Sequence, residues 1–263
     1  ESQSQMSASR EILLQINSHD RSNLDNPQTK FTVNLGKDHK ISSVKAIAIK
    51  SLQCQNTFYN ITSYNNTWYY DTGGAELSVS IMPGQYNTNS FIASMTAAFL
   101  TAGVTVTISS DSITQKFDMT FLPPTSVFRK RSNGQLNPIH RVVGIRSGEG
   151  GVTAPVGTYT AEAIRDLSGL KSIYVLSNVM AGGNCITSRS GGSRMALLDV
   201  LPVRTPFGGI IHEESRNFET DLLSFDRVLQ NNLGNVDIEL RDSENNALDS
   251  NGSDIVMVLK VWY

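Results

Sequence analysis

The sequence has little charge, two cysteines and no long apolar run. Charged residues make up 17% of its 263 residues, below the roughly 25% of average soluble domains, and the net charge is -2. This balance excludes the strong positive potential with which proteins attract nucleic acid or anionic membranes. No apolar run reaches the ~20 residues of a membrane-spanning helix, and no signal-like segment opens the chain. We expect a soluble chain with no nucleic-acid partner.

Uncharged polar side chains take the place of the missing charges. Burying an amide costs less free energy than burying a charge, so an amide-rich surface suits packing against neighbouring proteins. The two cysteines, Cys54 and Cys185, are too few for a disulfide framework and are expected to be buried thiols. A chain of this length forms a substantial core without disulfides.

Residues for catalysis or metal binding do not occur in recognisable patterns. The four histidines lack the spacing of a metal site; they are His19, His39, His140 and His212. Asp237 and Glu239 in "VDIEL" would share one face of a strand, where their alternation with apolar residues predicts a solvated face rather than a catalytic pair. We therefore predict no catalytic residue, no metal, no cofactor and no enzyme activity.

Short alternating segments indicate an antiparallel β protein. Phe31, Val33 and Leu35 fall on one face of such a segment, which is the pattern of a sheet that covers a core on one side. Predicted strands occupy 11–18, 30–36, 44–53, 67–72, 75–82, 104–110, 116–122, 141–147, 171–178, 194–203, 236–243 and 254–263.

One segment, "IMPGQYNTNSFIASMTAAFL" at 81–100, predicts a helix among the strands. Its apolar residues recur at spacings of three and four; they are Phe91, Ile92, Met95, Ala98, Phe99 and Ala102. Oxygen-bearing side chains at 87–90 are suited to cap the first turn, and Gly103 is suited to end the last.

Two segments are candidate contact surfaces. The aromatic cluster within 56–70 either forms a surface for a protein or sugar or fills the core near a turn; its rings belong to Phe58, Tyr59, Tyr64, Trp68, Tyr69 and Tyr70. A basic cluster is either a contact patch or a solvated loop; its cationic side chains are Arg129, Lys130, Arg131 and Arg141.

Together these features predict an all-β chain, an antiparallel jelly-roll sandwich with one inserted helix. No change in composition marks a domain boundary. We expect a flexible arm at 1–10 and a jelly-roll domain over 11–263. The irregular stretch 123–170 is either a set of long loops or a small insertion.

A series of short motifs resembles the penton-type minor capsid proteins of virophages, Polinton-like viruses and nucleocytoplasmic large DNA viruses. The motifs are spread over most of 30–260; in order they are "KFTVNLG", "NTFYNITSYNN", "IMPGQY", "DLSGLKSIYVLSN", "LLDVLPV" and "DIELRDSENN". The resemblance implies a single jelly roll present in five copies at each icosahedral vertex of a virion. It also implies contacts with itself, with the major capsid protein and with other minor capsid or vertex proteins, after assembly in the infected cell.

The structural role implied by this resemblance is to close the vertex through contacts between sheet edges and loops. The helix would then cross the jelly roll as part of its core. Two alternatives remain open from the residues alone: a carbohydrate-binding β-sandwich, such as a lectin or adhesin module, that stacks the same aromatic rings on sugars, and a polysaccharide hydrolase for which no catalytic residue can be named.

Overall fold

The chain divides into two compact units in a computed structural model. This structure describes residues 10–24, 27–35, 41–42, 44, 46–72, 76–122, 126–127, 135–146, 152–153, 158–179, 185–186, 194–214 and 232–263. The first unit consists of Glu1–Phe58 with Leu170–Tyr263, and the second unit of Tyr59–Gly169. Each unit has its own cluster of buried apolar residues.

Strands dominate the described residues, with two helices and one short 3-10 turn at Ser18–Asp20. The helices are α1 Thr88–Thr101 and α2 His140–Val143. The strands are β1 Glu11–Asn17, β2 Lys30–Asn34, β3 Ile41–Ser42, β4 Ala46–Gln55, β5 Thr67–Asp71, β6 Leu77–Ser80, β7 Thr105–Ser110, β8 Phe117–Leu122, β9 Ser126–Val127, β10 Val152–Thr153, β11 Thr158–Thr160, β12 Ser172–Ser177, β13 Cys185–Ile186, β14 Arg194–Met195, β15 Leu197–Pro202, β16 Ile210–Glu214, β17 Asn232–Leu233, β18 Asn235–Arg241 and β19 Ile255–Trp262.

Eight strands of the first unit form a jelly roll. One antiparallel sheet has the order β1-β19-β4-β16 and the other the order β15-β12-β18-β2. If the eight strands are numbered by their order along the chain, the first sheet has the order 1-8-3-6 and the second sheet, which faces it, has the order 5-4-7-2. This is the order of two interleaved Greek keys, which is the jelly-roll topology. The predicted fold class is therefore confirmed.

The core of the first unit comes from alternating positions on these strands. Val236, Ile238 and Leu240 of β18 are buried, while the residues between them are half-buried. On β19, Met257 and Leu259 are likewise fully buried. Because each fully buried aliphatic side chain contributes about 1.5–3 kcal/mol relative to exposure, this alternation fixes which face of each strand points inward.

The second unit lies in the connection between β4 and β12, the third and fourth strands of the jelly roll. It contains two small antiparallel sheets, of order β10-β9-β5-β6 and β11-β8-β7, together with α1. Helix α1 and both sheets supply aromatic side chains to its core, among them Trp68, Tyr70, Phe91, Phe99 and Phe117. The unit thus has a core of its own, in which aromatic rings pack among aliphatic side chains.

Helix α1 begins where its cap was predicted. The side-chain oxygen of Asn87 accepts a hydrogen bond from the Ser90 backbone N–H, and the Ser90 hydroxyl accepts one from the Asn87 N–H. This reciprocal pair satisfies two donors at the helix start. Phe91, Met95 and Phe99 are buried in the core of the second unit. The expectation that the helix would contribute to the jelly-roll core is therefore corrected.

Replacing Asn87 with alanine should destabilise the second unit by about 0.5–2 kcal/mol, because the Ser90 N–H loses its acceptor. Asn87→Asp keeps an acceptor and should stay close to wild type. Urea denaturation followed by circular dichroism measures both variants. Equal stability of the alanine and aspartate variants would show that this cap contributes nothing.

The predicted strand at 141–147 is wrong. Residues His140–Val143 form the one-turn helix α2 instead, ended by Gly144 with φ at 82°. The Ile145 N–H donates to the His140 carbonyl at 2.8 Å, which closes the turn. β-branched residues favoured a strand here, but the left-handed glycine and the burial of Val142 and Val143 stabilise a turn.

The predicted domain limits, an arm at 1–10 and a jelly-roll domain at 11–263, stay a prediction. The bounds of the second compact unit can be compared with the candidate insertion. The second unit begins at Tyr59, well before the stretch 123–170 that was a candidate insertion, and it ends at Gly169. Residues 1–9 of the predicted arm lie outside the described residues. Arg10 exchanges two backbone hydrogen bonds with Tyr263 and so extends the pairing of β1 with β19.

Candidate functional site

The aromatic segment 56–70 does not form one exposed surface. Phe58 is buried in the first unit, and Trp68 and Tyr70 are buried in the second. These three rings are unavailable to a partner, which corrects their place in the predicted interface. Strand alternation gives the reason: in β5 the buried positions of Trp68 and Tyr70 flank the half-buried Tyr69. This alternation between buried and half-buried positions can be predicted from the sequence of a strand.

The buried rings of this segment pack on helix α1. The ring centroids of Trp68 and Phe99 are 5.5 Å apart at an angle of 75°, and those of Tyr70 and Phe99 are 5.1 Å apart at 62°. Edge-to-face pairs of this kind contribute about 0.5–1.5 kcal/mol beyond the area they bury. Trp68 and Tyr70 therefore anchor the helix to β5.

Two side-chain amides, one of this segment and one from outside it, bind backbone within the second unit. Asn60 donates from its amide nitrogen to the carbonyls of Tyr86 and Leu167, at 2.8 and 2.9 Å, and accepts from the Tyr86 N–H at 2.9 Å. Buried Asn137 donates to the Tyr69 carbonyl at 2.8 Å and accepts from the Tyr69 N–H at 3.3 Å. These amides replace backbone partners that irregular segments lack.

Three predicted contact residues keep part of their surface in the structure. Tyr64 has 50% of its surface exposed, and Tyr59 and Tyr69 are half-buried. Their role in contacts stays a prediction. The carbohydrate-binding interpretation loses Phe58, Trp68 and Tyr70 as stacking platforms, because a sugar needs an exposed ring face.

The predicted basic patch cannot be assembled from the described residues. Arg129, Lys130 and Arg131 lie outside them. Arg141 is on α2 and exposed, whereas the neighbouring His140 is buried, with its Nδ1 atom 2.6 Å from the Asn137 carbonyl oxygen. The patch stays a prediction.

The carboxylates of β18 lie on its half-exposed face, beside a cleft of about 370 Å³ on the outer side of β2, β12 and β18. The Glu239 carboxylate accepts from the Arg241 guanidinium at 2.8 Å and lies 3.9 Å from the Lys30 ammonium. The backbone N–H of Asp237 donates to the Asn178 side chain at 3.0 Å. Contacts of this kind are typical of a charged strand face exposed to solvent. The sequence pattern did not single out Lys30 or Asn178.

The described part of the chain contains neither a cluster of metal ligands nor a membrane-spanning helix. No three histidine, cysteine, aspartate or glutamate side chains come together as metal ligands there. Neither helix found among those residues is long and apolar enough to cross a membrane.

Cys54 is a buried free thiol on β4; the side chain of Cys185 lies outside the described residues. Burial raises the pKa of the Cys54 thiol from 9.0 to about 12, because the thiolate is poorly solvated there. Between these two pH values the unfolded chain has lost a proton that the folded chain retains. The titration of Cys54 therefore leaves the free energy of unfolding unchanged below pH 9 and lowers it as the pH rises from 9 toward 12.

We expect the free energy of unfolding to fall by about 1.4 kcal/mol per pH unit in this window from Cys54 alone. Other groups titrate there too, so the measured quantity is the difference in slope between wild type and Cys54→Ala, from urea denaturation at pH 8.5–11. The wild-type slope should be steeper. Parallel slopes would show that this thiol titrates normally in the folded state.

Exposed apolar side chains mark both outer strands of the sheet β1-β19-β4-β16. On β1, Ile12 and Leu13 have 42% and 52% of their surfaces exposed. At the other edge, Ile210 of β16 has 61% and the preceding Phe207 has 42% exposed. Large apolar groups at open sheet edges are typical of contact sites. Strand β16 is absent from the strands that the sequence pattern predicts, so the sequence does not reveal this pair of edges.

Comparisons with known proteins support the fold. No family model matches the sequence, and no curated protein matches it by sequence. The structure is similar to the crystal structure of the penton protein of mavirus, with a TM-score of 0.52 and 9% sequence identity. The similarity covers 97% of this chain and 99% of that chain. The chain therefore has a penton-like fold.

Proposed function

We propose that this chain is a structural capsid protein, the penton that closes the five-fold vertices of an icosahedral double-stranded DNA virus. In this role it forms a homopentamer, contacts the major capsid protein and other minor capsid or vertex proteins, and is assembled into virions in the infected cell. It acts through shape and contacts, without catalysis and without a cofactor.

One observation carries this proposal: a complete eight-stranded jelly roll is interrupted between its third and fourth strands by a second compact unit. The similarity to the mavirus penton protein extends over nearly the full length of both chains and so includes both units. A single jelly roll alone would support many functions. The full-length similarity favours the capsid role among them.

The charge pattern of the chain agrees with a role in assembly. The net charge is small at -2, and the Glu239 carboxylate of β18 is engaged with cations on the surface. A chain whose surface is rich in amides and hydroxyls can bury much of that surface against neighbours at low desolvation cost.

Negative-stain imaging of the purified protein over a range of concentrations tests the proposal. Class averages should show closed rings of five copies. A glycan array with the same sample tests the carbohydrate-binding alternative, because a sugar-binding module would give a signal as a monomer. Monomers that bind glycans and never form rings would overturn the capsid proposal.

A further inference from the structure

Within the described part of the chain, both outer strands of the sheet β1-β19-β4-β16 have an open side. Among the described residues, β1 pairs with β19 alone and β16 with β4 alone. All pairs in this sheet are antiparallel. With four strands, the two outer strands therefore run in opposite directions. A rotation about an axis along the strands would bring β16 of one copy beside β1 of the next as an antiparallel pair.

We propose that β16 of one copy pairs with β1 of the next copy, so that this sheet continues from chain to chain around the ring. This inference rests on the proposed self-assembly and names the contact that produces it. It is a heterologous contact, in which two different surfaces of the same chain meet, and a closed ring requires such a contact.

Backbone directions on β1 suit this pairing. Arg10 and Tyr263 exchange N–H···O bonds of 3.0 and 2.9 Å, so Arg10 points its backbone groups toward β19. The register continues without a shift along β1. Because successive residues point their N–H and C=O groups to opposite sides, Glu11 and Leu13 direct theirs to the open edge.

Backbone directions on β16 match those on β1. The Asn56 N–H donates to the Gly209 carbonyl at 2.8 Å, so Gly209, and by alternation Ile211, face β4. Ile210 and His212 then face the open edge. The Thr205 hydroxyl donates to the Ile210 carbonyl at 3.2 Å, which leaves that oxygen a second lone pair for a strand partner.

The side-chain faces select the same partners. Ile12 pairs with the buried Val261 and Ile211 is itself buried, so both side chains lie on the core face of the sheet. Leu13 and Ile210 lie on the outer face. Directly opposed antiparallel residues share a face. Hence Leu13 opposite Ile210 and Ile12 opposite Ile211 satisfy both the backbone and the side-chain requirements.

This register also brings opposite charges together. It places Arg10 opposite Glu213 and Glu11 opposite His212; Arg10 is exposed and Glu213 half-buried. Arg10 and the Glu213 carboxylate form a favourable pair of opposite charges. The His212 imidazole is able to donate to Glu11, which also contacts Lys260 at 2.6 Å. A shift by two residues would instead set Glu11 opposite Glu214 and destabilise the pair.

The second sheet of the jelly roll, of order β15-β12-β18-β2, is less suited to this role. Its outer strand β2 is covered by a preceding segment of the same chain, since the Ser22 N–H donates to the Thr32 carbonyl at 2.8 Å. The backbone of that segment lies within hydrogen-bond distance of the edge where an added strand would pair, whereas at β16 the Ile210 carbonyl is approached by a side-chain hydroxyl. The contact is therefore assigned to β1 and β16.

Cysteine cross-linking tests the register. Opposed residues of a hydrogen-bonded antiparallel pair have Cα atoms about 5.5 Å apart, within reach of a disulfide. Oxidised Leu13→Cys/Ile210→Cys protein should give a ladder of covalent oligomers on a denaturing gel, and reduction should remove it. Wild type, which retains Cys54 and Cys185, and each single variant are the controls. Gln15→Cys/Ile210→Cys, which matches the shifted register, should cross-link at least tenfold less.

A charge exchange tests the same pairing without cysteines. Arg10→Glu and Glu213→Arg should each raise the protein concentration at which rings form by at least fivefold. The double variant should restore the wild-type concentration. Glu214→Arg makes the same charge change on the adjacent residue and should neither weaken rings nor rescue Arg10→Glu. Circular dichroism of each variant confirms that it is folded.

The outcomes separate this inference from the proposed function. Rings that form without the cross-link ladder, and without rescue by the double variant, overturn the edge contact but leave the capsid role standing. Folded protein that stays monomeric at every concentration and does not cross-link contradicts both proposals. If Gln15→Cys/Ile210→Cys cross-links more strongly than Leu13→Cys/Ile210→Cys, the proposed register is overturned.

Discussion

Replacing Trp68 with alanine is expected to destabilise the second unit by about 3–5 kcal/mol. Trp68 is fully buried and packs edge-on against Phe99, with ring centroids 5.5 Å apart, and against Phe121 at 6.3 Å. Removing the ring leaves a cavity between α1 and β5 and loses both aromatic contacts. Urea denaturation followed by circular dichroism measures the loss, and hydrogen exchange of peptides from 59–169 locates it.

Tyr64→Ala is the matched control for this prediction. Tyr64 belongs to the same segment but has half its surface exposed, so its replacement should change stability by less than about 0.5 kcal/mol. A Trp68→Ala protein as stable as wild type would contradict the structural role of this ring. The contact-surface interpretation of 56–70 would then regain its support.

The second large effect is expected from Gly144→Ala, at about 2–5 kcal/mol. Gly144 has φ at +82°, and a Cβ atom there would lie 2.2 Å from the carbonyl oxygen of Ala163. The neighbouring backbone is held, since the Ala163 N–H donates to the Gly144 carbonyl at 2.9 Å. The substitution therefore combines a left-handed backbone penalty with a clash that the backbone must move to relieve.

Gly103→Ala provides the comparison, because it separates these two causes. Gly103 has nearly the same φ, +79°, yet a Cβ atom added there would have no neighbouring atom within 4 Å. Only the conformational penalty of about 1–2 kcal/mol is expected there. The two variants are compared by the same denaturation measurement. Equal losses would show that the contact with Ala163 relaxes without cost.

The parts of the fold that sequence predicted are those set by local pattern. Helix α1 was predicted because its apolar residues recur every three to four positions and Asn87 and Ser90 supply the cap. Strands such as β7 and β8 were predicted because apolar and polar residues alternate along them. In each case one short window contains the whole physical cause.

The division into two units could not be predicted in this way. Strands of both units show the same alternation, and the second unit begins at Tyr59, soon after β4 ends at Gln55. Which strands pair is decided by contacts between distant residues, such as β4 with β19 in one unit and β11 with β8 in the other. Local patterns do not encode those contacts.

The contact surfaces were harder still to identify, since burial depends on neighbours far along the chain. Ring-rich composition suggested an exposed site, while Phe99 of α1 covers Trp68 and Tyr70. Conversely, Ile210 belongs to a short strand after the turn at Gly208 and Gly209, and its exposure follows only from its position at a sheet edge.

The molar mass of the purified protein in solution, from light scattering on a size-exclusion column, tests the proposed pentamer most directly. Cyclic five-fold assemblies are uncommon among soluble oligomers, where two-fold dimers dominate, so the stoichiometry is informative. A penton should give a species of five times the 28.8 kDa of one chain, formed as concentration rises. A mass of one or two chains at every concentration would contradict this role.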